Sequence, residues 1–281
     1  MAAETSAASP ATYAWPGPNS RLPLNALTIF VSAFLLFQVE PLIGKIILPW
    51  FGGVAAIWTV CLLFFQVVLL LGYLYAHLLT SQFGSRMQGW LHVCLLAISL
   101  LALPILPKDS WKPSGPEHPA LHILWVLGLT VGLPFFLLSA TSPLLQAWLA
   151  NERKGRVYRL YALSNAGSLL GLLSYPTVVE PRLSTIWQGR GWSVAYAVFA
   201  VACGAIAISQ RGGDGVRQFA EGGPARVDWN TRALWVALPA CSSALLLAVT
   251  NHISQNIAAV PFLWVIPLSL YMLSFILCFA S

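Results

Sequence analysis

SAFLLFQVEPLIGKIILPWFGG, residues 32–53, is an apolar run broken by two opposite charges, Glu40 and Lys45. A charge at the centre of a bilayer-spanning helix costs roughly 2.5–3.5 kcal/mol on insertion scales, so it is expected to face a protein interior or a water-filled path. Pro41, next to Glu40, has no N–H for the carbonyl of Phe37, so a kink in the helix is expected there. A charged, kinked first helix makes this stretch a candidate functional site. The alternative for Glu40 is an interfacial bend: Leu22 to Val39 is just long enough to span by itself. Lys45, close to the span end, could instead snorkel to the outer surface. Five positions on a regular helix separate the two charges by about 140°, so they are expected to serve different neighbours.

The rest of the chain has the same character. Hydrophobic residues make up 58% and charged residues 9%, where a soluble domain has roughly 25% charged. Eight spans are expected, at 24–48, 54–79, 89–106, 121–148, 158–179, 192–209, 233–250 and 258–279. The fold class is therefore an all-α multi-pass membrane protein. Its domains read as a tail over 1–23, a six-helix unit over 24–209, a Gly-rich cytoplasmic linker over 210–232, and two further helices over 233–281. The tail, rich in Ala, Ser, Pro and Gly and lacking a basic n-region, reads as disordered and uncleaved. The last span runs to Phe279, so a truncated second unit is expected.

The net charge of +6 informs through its placement. Arg86, Arg153, Lys154, Arg156, Arg159, Arg211, Arg217, Arg226 and Arg232 fall on one side of the expected spans. Lys108, Lys112, Arg182 and Arg190 fall on the other. The positive-inside rule then places both ends and the even-numbered loops in the cytoplasm. Nucleic acid is not an expected partner, because these cations hug membrane ends; the lipid bilayer is. The five cysteines all lie in apolar spans without paired spacing and read as small core residues. No metal or cofactor site is expected. Trp50, Trp90, Trp111, Trp148, Trp187 and Trp235 sit near span ends, as interfacial belt residues do.

Internal similarity is faint. Glu-Pro-Leu-Ile at 40–43 aligns with Ser-Pro-Leu-Leu at 142–145, in spans expected to run in opposite directions. That pattern fits an inverted three-plus-three repeat, a common transporter plan. Ser243-Ala-Leu-Leu-Leu is similar to Ser32-Ala-Phe-Leu-Leu, which would make span 7 the start of a second unit.

QVEPLIGKIILPWFGG, AAIWTVCLLFFQ and GYLYAHLL, all within 38–79, resemble the opening of the fused major-facilitator/spermidine-synthase-like membrane proteins of bacteria. SATSPLLQAWLA at 139–150, RLYALSNAGSLLGLLSYPTVVEP at 159–181 and AAVPFLWVIPLSLYMLSFIL at 258–277 extend the resemblance. It implies a bacterial inner-membrane protein of major-facilitator-like plan, carrying a C-terminal aminopropyltransferase-like domain and linked to polyamines. Two departures stand out. The family pattern has Gln where this chain has Glu40, and the synthase-like domain is absent from this sequence. No strand, Gly-loop and helix unit occurs, nor a pair of acidic residues to hold and deprotonate a diamine, so no catalytic residue is assigned.

Two readings remain from the residues. A transport-type domain would line a polar path for a small cation with Gln38, Glu40, Lys45, Asn165, Asn251, His252 and Gln255. A membrane anchor for a synthase-like domain would instead satisfy those groups pairwise inside closed packing. Asn165, beside Ser164 and Ser168, is expected to seek partners on another helix. His77 and His92, flanking the loop TSQFGSRMQG, read as interfacial imidazoles. Gly128/Gly132 and Gly167/Gly171 read as packing glycines.

Overall fold

The computed structural model describes residues 22–52, 55–113, 118–152, 157–209, 228–256 and 265–280. Its helices are α1 (Leu22–Ile47), α2 (Ala55–Gln82), α3 (Ser85–Ser99), α4 (Pro119–Leu127), α5 (Leu133–Glu152), α6 (Val157–Ser174), α7 (Glu180–Arg182), α8 (Thr185–Ile208), α9 (Trp229–Asn256) and α10 (Val265–Ala280). A π turn over Gly128–Gly132 joins α4 to α5 as one rod, and another over Tyr175–Val179 joins α6 to α7. A 3₁₀ turn, Leu100–Ala102, extends α3. No strand occurs among the described residues. The chain is an all-α multi-pass membrane protein.

Among the described residues, six helical stretches are long and apolar enough to cross a bilayer: Pro23–Trp50, Ile57–Gln82, Ser85–Ala102, Pro119–Leu149, Thr185–Ile208 and Trp229–Thr250. Two of the eight expected spans fall short. The α6 rod carries Ser164, Asn165, Ser168 and Ser174, which lower its hydropathy. The last, Val265–Phe279, is apolar but short among the described residues, since 257–264 lie outside them.

Two boundaries also move. The third helix begins at Ser85, after an extended Gly84 (φ −68°, ψ 152°), and its helical path ends at Ala102, before an extended Leu103. The sixth begins at Thr185, seven residues before the expected start. Its first turns hold Gln188, Gly189 and Arg190, too polar to read as a span. In the fold, the Gln188 amide donates to the Leu183 carbonyl at 2.7 Å and accepts from the Tyr175 hydroxyl at 3.1 Å. A satisfied amide can be buried at little cost.

The core lies where α1, α5 and the α6 rod meet α2, α3 and α8. Leu35, Val39, Leu42, Ile43 and Ile47 of α1 pack there with Phe65, Phe135, Tyr175, Tyr196 and Phe199. A second cluster holds Ile29, Ala76, Leu144, Leu145, Trp148 and Leu160. Helix α10 packs along α6, and α9 packs on α10. None of the apolar window of α9 is buried, so most of that helix faces outward, as a lipid-facing rod does.

The same contacts are made twice. Gly171 of α6 lies against α1, where an added Cβ would sit 2.6 Å from the Phe34 carbonyl oxygen; Gly72 of α2 lies against α5, where it would sit 2.9 Å from that of Phe136. Gln88 donates to the Phe83 carbonyl at 2.6 Å, as Gln188 does to Leu183. Tyr75 and Tyr175, one hundred positions apart, each send a hydroxyl to the following helix, to His92 and Gln188. Helices α3 and α8, the corresponding third rods, run antiparallel: Ser99 meets Tyr196 at 2.7 Å, and the Ile105 N–H donates to Ser193 at 3.2 Å. Antiparallel equivalents are what an inverted repeat produces. Gly72 and Gln88 are sixteen positions apart, Gly171 and Gln188 seventeen, and the π turn at Tyr175–Val179 takes up the extra residue.

Candidate functional site

Helix α1 continues to Ile47, seven residues past Glu40, with Pro41 inside it. The interfacial-bend reading, with the span ending near Val39, is therefore corrected: the helix passes through Glu40 and into the 3₁₀ turn Leu48–Trp50. One missing N–H at Pro41 does not end a helix whose flanking residues are packed on several sides.

The polar groups of α1 divide by face. Gln38 is buried, and its amide donates to the Gly171 carbonyl at 3.2 Å and the Ser174 hydroxyl at 2.8 Å. It is a clasp between α1 and α6, not a lining residue. Glu40 lies two positions on, about 200° around the helix, and so on nearly the opposite face. It shares its side with Gly44, about 40° away at 100° per residue. Gly44 packs so closely on Trp58 of α2 that an added Cβ would sit 2.6 Å from the indole ring. Glu40 thus looks toward α2, half-buried, and among the described residues no hydrogen bond or ion pair reaches its carboxylate.

Lys45 does not serve Glu40. Its Nζ lies 3.0 Å from Glu180 Oε1, with side chains 39% and 29% exposed. That pair ties the end of α1 to α7 at a partly solvated edge, so water screens it. Trp50, Lys112 and Asp109 extend the same edge, with Lys112 Nζ 5.6 Å from the Trp50 ring and 2.7 Å from Asp109.

Asn165 donates to the Tyr161 carbonyl of its own helix at 2.9 Å, not to another helix as expected; an i−4 carbonyl lies within reach of a short amide. Its neighbour Ser164 is the group that crosses, 3.5 Å from Ser142 of α5, which in turn accepts from Gln146 at 2.9 Å. His252 lies exposed on α9. The side chains of Asn251 and Gln255, on the same helix, lie outside the described residues. The members of the expected lining set on α1 do not converge: Gln38 turns to α6, Lys45 is paired with Glu180, and Glu40 stands on its own face.

Other expectations are corrected. His92 is not interfacial but fully buried, its Nδ1 3.2 Å from the Tyr75 hydroxyl and its Nε2 3.5 Å from Cys203 Sγ. His77 is exposed. Trp148 is no belt residue: buried, it donates to Gln88 Oε1 at 2.7 Å. Cys61 and Cys203 are buried, whereas Cys94, Cys241 and Cys278 are exposed. Gly167 and Gly171 do admit α1, but Gly128 has nothing within 4 Å of an added Cβ. No group of three potential metal ligands occurs among the described residues. The Gln-Gly pairs at 88–89 and 188–189, with Tyr75 and Tyr175, were the overlooked sequence signal.

Compared with known proteins, the chain matches no family model, no curated protein and no solved structure.

Proposed function

We propose that this chain is a transport-type membrane domain that handles a small cation, with Glu40 as the cation- or proton-facing group. The observation that carries this reading is the half-buried Glu40 carboxylate, inside an apolar helix and without a partner among the described residues. A carboxylate placed so at bilayer depth draws in water, a proton or a cation. The repeated contacts of the two halves support the same reading, because inverted repeats are a common basis of alternating access. The resemblance of residues 38–79 to the fused major-facilitator/spermidine-synthase-like proteins adds a polyamine as the first cation to try. The same resemblance implies a bacterial inner membrane, and the charge placement favours a cytoplasmic N-terminus.

The anchor reading has one specific observation in its favour. Gln38, Gln88, Gln188 and Gln146 are all hydrogen-bonded within the bundle, which is what a closed module requires.

One experiment separates the two. In the full chain stripped of native cysteines and reconstituted in liposomes, Glu40→Cys is expected to react with a membrane-impermeant thiol reagent. In the cysteine-containing chain, Glu40→Gln is expected to reduce uptake of spermidine, or of a monovalent cation, to background. Complete protection at position 40 from both sides, with no cation uptake by the unaltered chain, would establish the anchor instead.

A further inference from the structure

The chain between α3 and α4 folds into a tight corner at one end of the bundle. Lys108, in extended conformation, opens a 3₁₀ turn over Asp109–Trp111. The Trp111 N–H donates to the Lys108 carbonyl at 2.9 Å, and the Lys112 N–H donates to that of Asp109 at 3.2 Å. This turn brings two lysines beside two indoles. Lys108 Nζ lies 5.8 Å from the centre of the Trp111 ring, and Lys112 Nζ lies 5.6 Å from that of Trp50. Both are within cation–π range. His122 of α4 fixes the corner: its Nε2 donates to the Trp111 carbonyl at 2.8 Å, and its ring meets Phe51 and Trp125 edge-on. Trp111 and Trp125 also touch, with centroids 5.1 Å apart.

Both lysines are exposed. Lys112 pairs with Asp109 at 2.7 Å, but an ammonium has further N–H donors to offer. Lys108 makes no ion pair among the described residues. The corner therefore sets two ammonium groups against the carboxylate of Asp109. From Trp125 an apolar stripe continues along the α4 rod. Leu121, Trp125 and Leu129 are 65%, 50% and 50% exposed, and residues four apart lie on one side of a helix. Cations at the rim of the bilayer with an apolar track leading away from them are the complement of a lipid with a net negative headgroup. A zwitterionic headgroup carries its own cation, which two ammonium groups repel.

We infer that this corner seats an anionic phospholipid, its phosphate at Lys108 and Lys112 and an acyl chain along Leu121, Trp125 and Leu129. The indoles contribute twice. They hold in place two long side chains that would otherwise sweep freely, and Trp125 gives the lipid a broad contact at headgroup depth, where amphipathic rings sit. A lysine near an anionic bilayer surface raises affinity about fivefold, and Asp109 offsets part of what two of them supply. A preference of roughly tenfold for an anionic over a zwitterionic headgroup follows. Glu40 has no part in the seat, which stands or falls apart from the transport reading.

The test is native mass spectrometry of the full chain in detergent, offered phosphatidylglycerol and phosphatidylcholine of equal chain length in equal amounts. The first lipid bound is expected to be phosphatidylglycerol by about tenfold. The double variant Lys108→Gln/Lys112→Gln is expected to bring that ratio within twofold, and since both side chains are exposed it leaves the packed core untouched. Asp109→Asn is expected to raise the ratio by freeing Lys112. Arg86→Gln, an exposed charge at the far end of α3, is expected to leave it unchanged. Trp111→Leu keeps both charges but removes one platform, and is expected to lower the ratio at least threefold. An unchanged ratio in the lysine variant, or an equal fall in Arg86→Gln, would overturn the seat and show diffuse charge attraction. An unchanged ratio in Trp111→Leu would do the same. Displacement of the lipid by excess soluble glycerol phosphate would overturn it in favour of a site for free phosphate.

Discussion

Gln38 and Glu40 are two positions apart and face opposite directions. The rotation of about 200° between them sends the amide to Gly171 and Ser174 of α6 and the carboxylate toward α2. Substituting each therefore has separable effects. Gln38→Leu removes two hydrogen bonds that, in a membrane protein, average about 0.6 kcal/mol each. It is expected to lower the midpoint of thermal unfolding in detergent by a few degrees while leaving cation uptake within twofold. Glu40→Gln is expected to do the converse, leaving unfolding nearly unchanged and abolishing uptake. Loss of uptake in Gln38→Leu without any change in stability would mean that the amide, not the carboxylate, lines the path.

At the scale of the helix, the contacts that hold the bundle are backbone approaches through glycine. Gly171 admits the Phe34 carbonyl to α6, and Gly72 admits that of Phe136 to α2. A valine at either place must push a backbone oxygen aside, which typically costs about 1–3 kcal/mol. Gly171→Val and Gly72→Val are thus expected to destabilise by similar amounts, measured by unfolding in detergent, because they occupy equivalent positions of the two halves. Gly128→Ala, where nothing lies within 4 Å, is expected to change stability by no more than about 0.5 kcal/mol. A neutral Gly72→Val would show that the two halves are not packed alike.

For the whole molecule, the placement of basic residues argues for one orientation of the helices. Reporter fusions after Gly115 are expected to behave as periplasmic, and fusions after Gly155 or Gly222 as cytoplasmic. The fold agrees on relative directions. α1 and α6 run parallel, since Phe30 meets Gly167 and Phe34 meets Gly171, and α3 and α8 run antiparallel. A periplasmic signal at Gly222 would break the alternation that these contacts require and overturn the span count of the first six rods.

Sequence by itself determined the class of fold, because spans of about twenty apolar residues with few charges have only one stable form in lipid, a helix that satisfies its own backbone. It also singled out Glu40, since a charge inside such a run is rare. It erred where polarity is compensated from elsewhere in the chain. The start of α8 read as loop because Gln188 and Arg190 look solvated, yet Leu183 and Tyr175 satisfy Gln188 in place. His92 and Trp148 read as interfacial, yet Tyr75, Cys203 and Gln88 hold them inside. Which polar group pairs, and which is left to face a path, depends on neighbours that range from five to more than a hundred residues away. A linear chain specifies a residue's chemistry and its angle on its own helix. Only the packing of helices decides that Lys45 goes to Glu180, that Gln38 closes on α6, and that Glu40 is left on the side of α1 that meets α2.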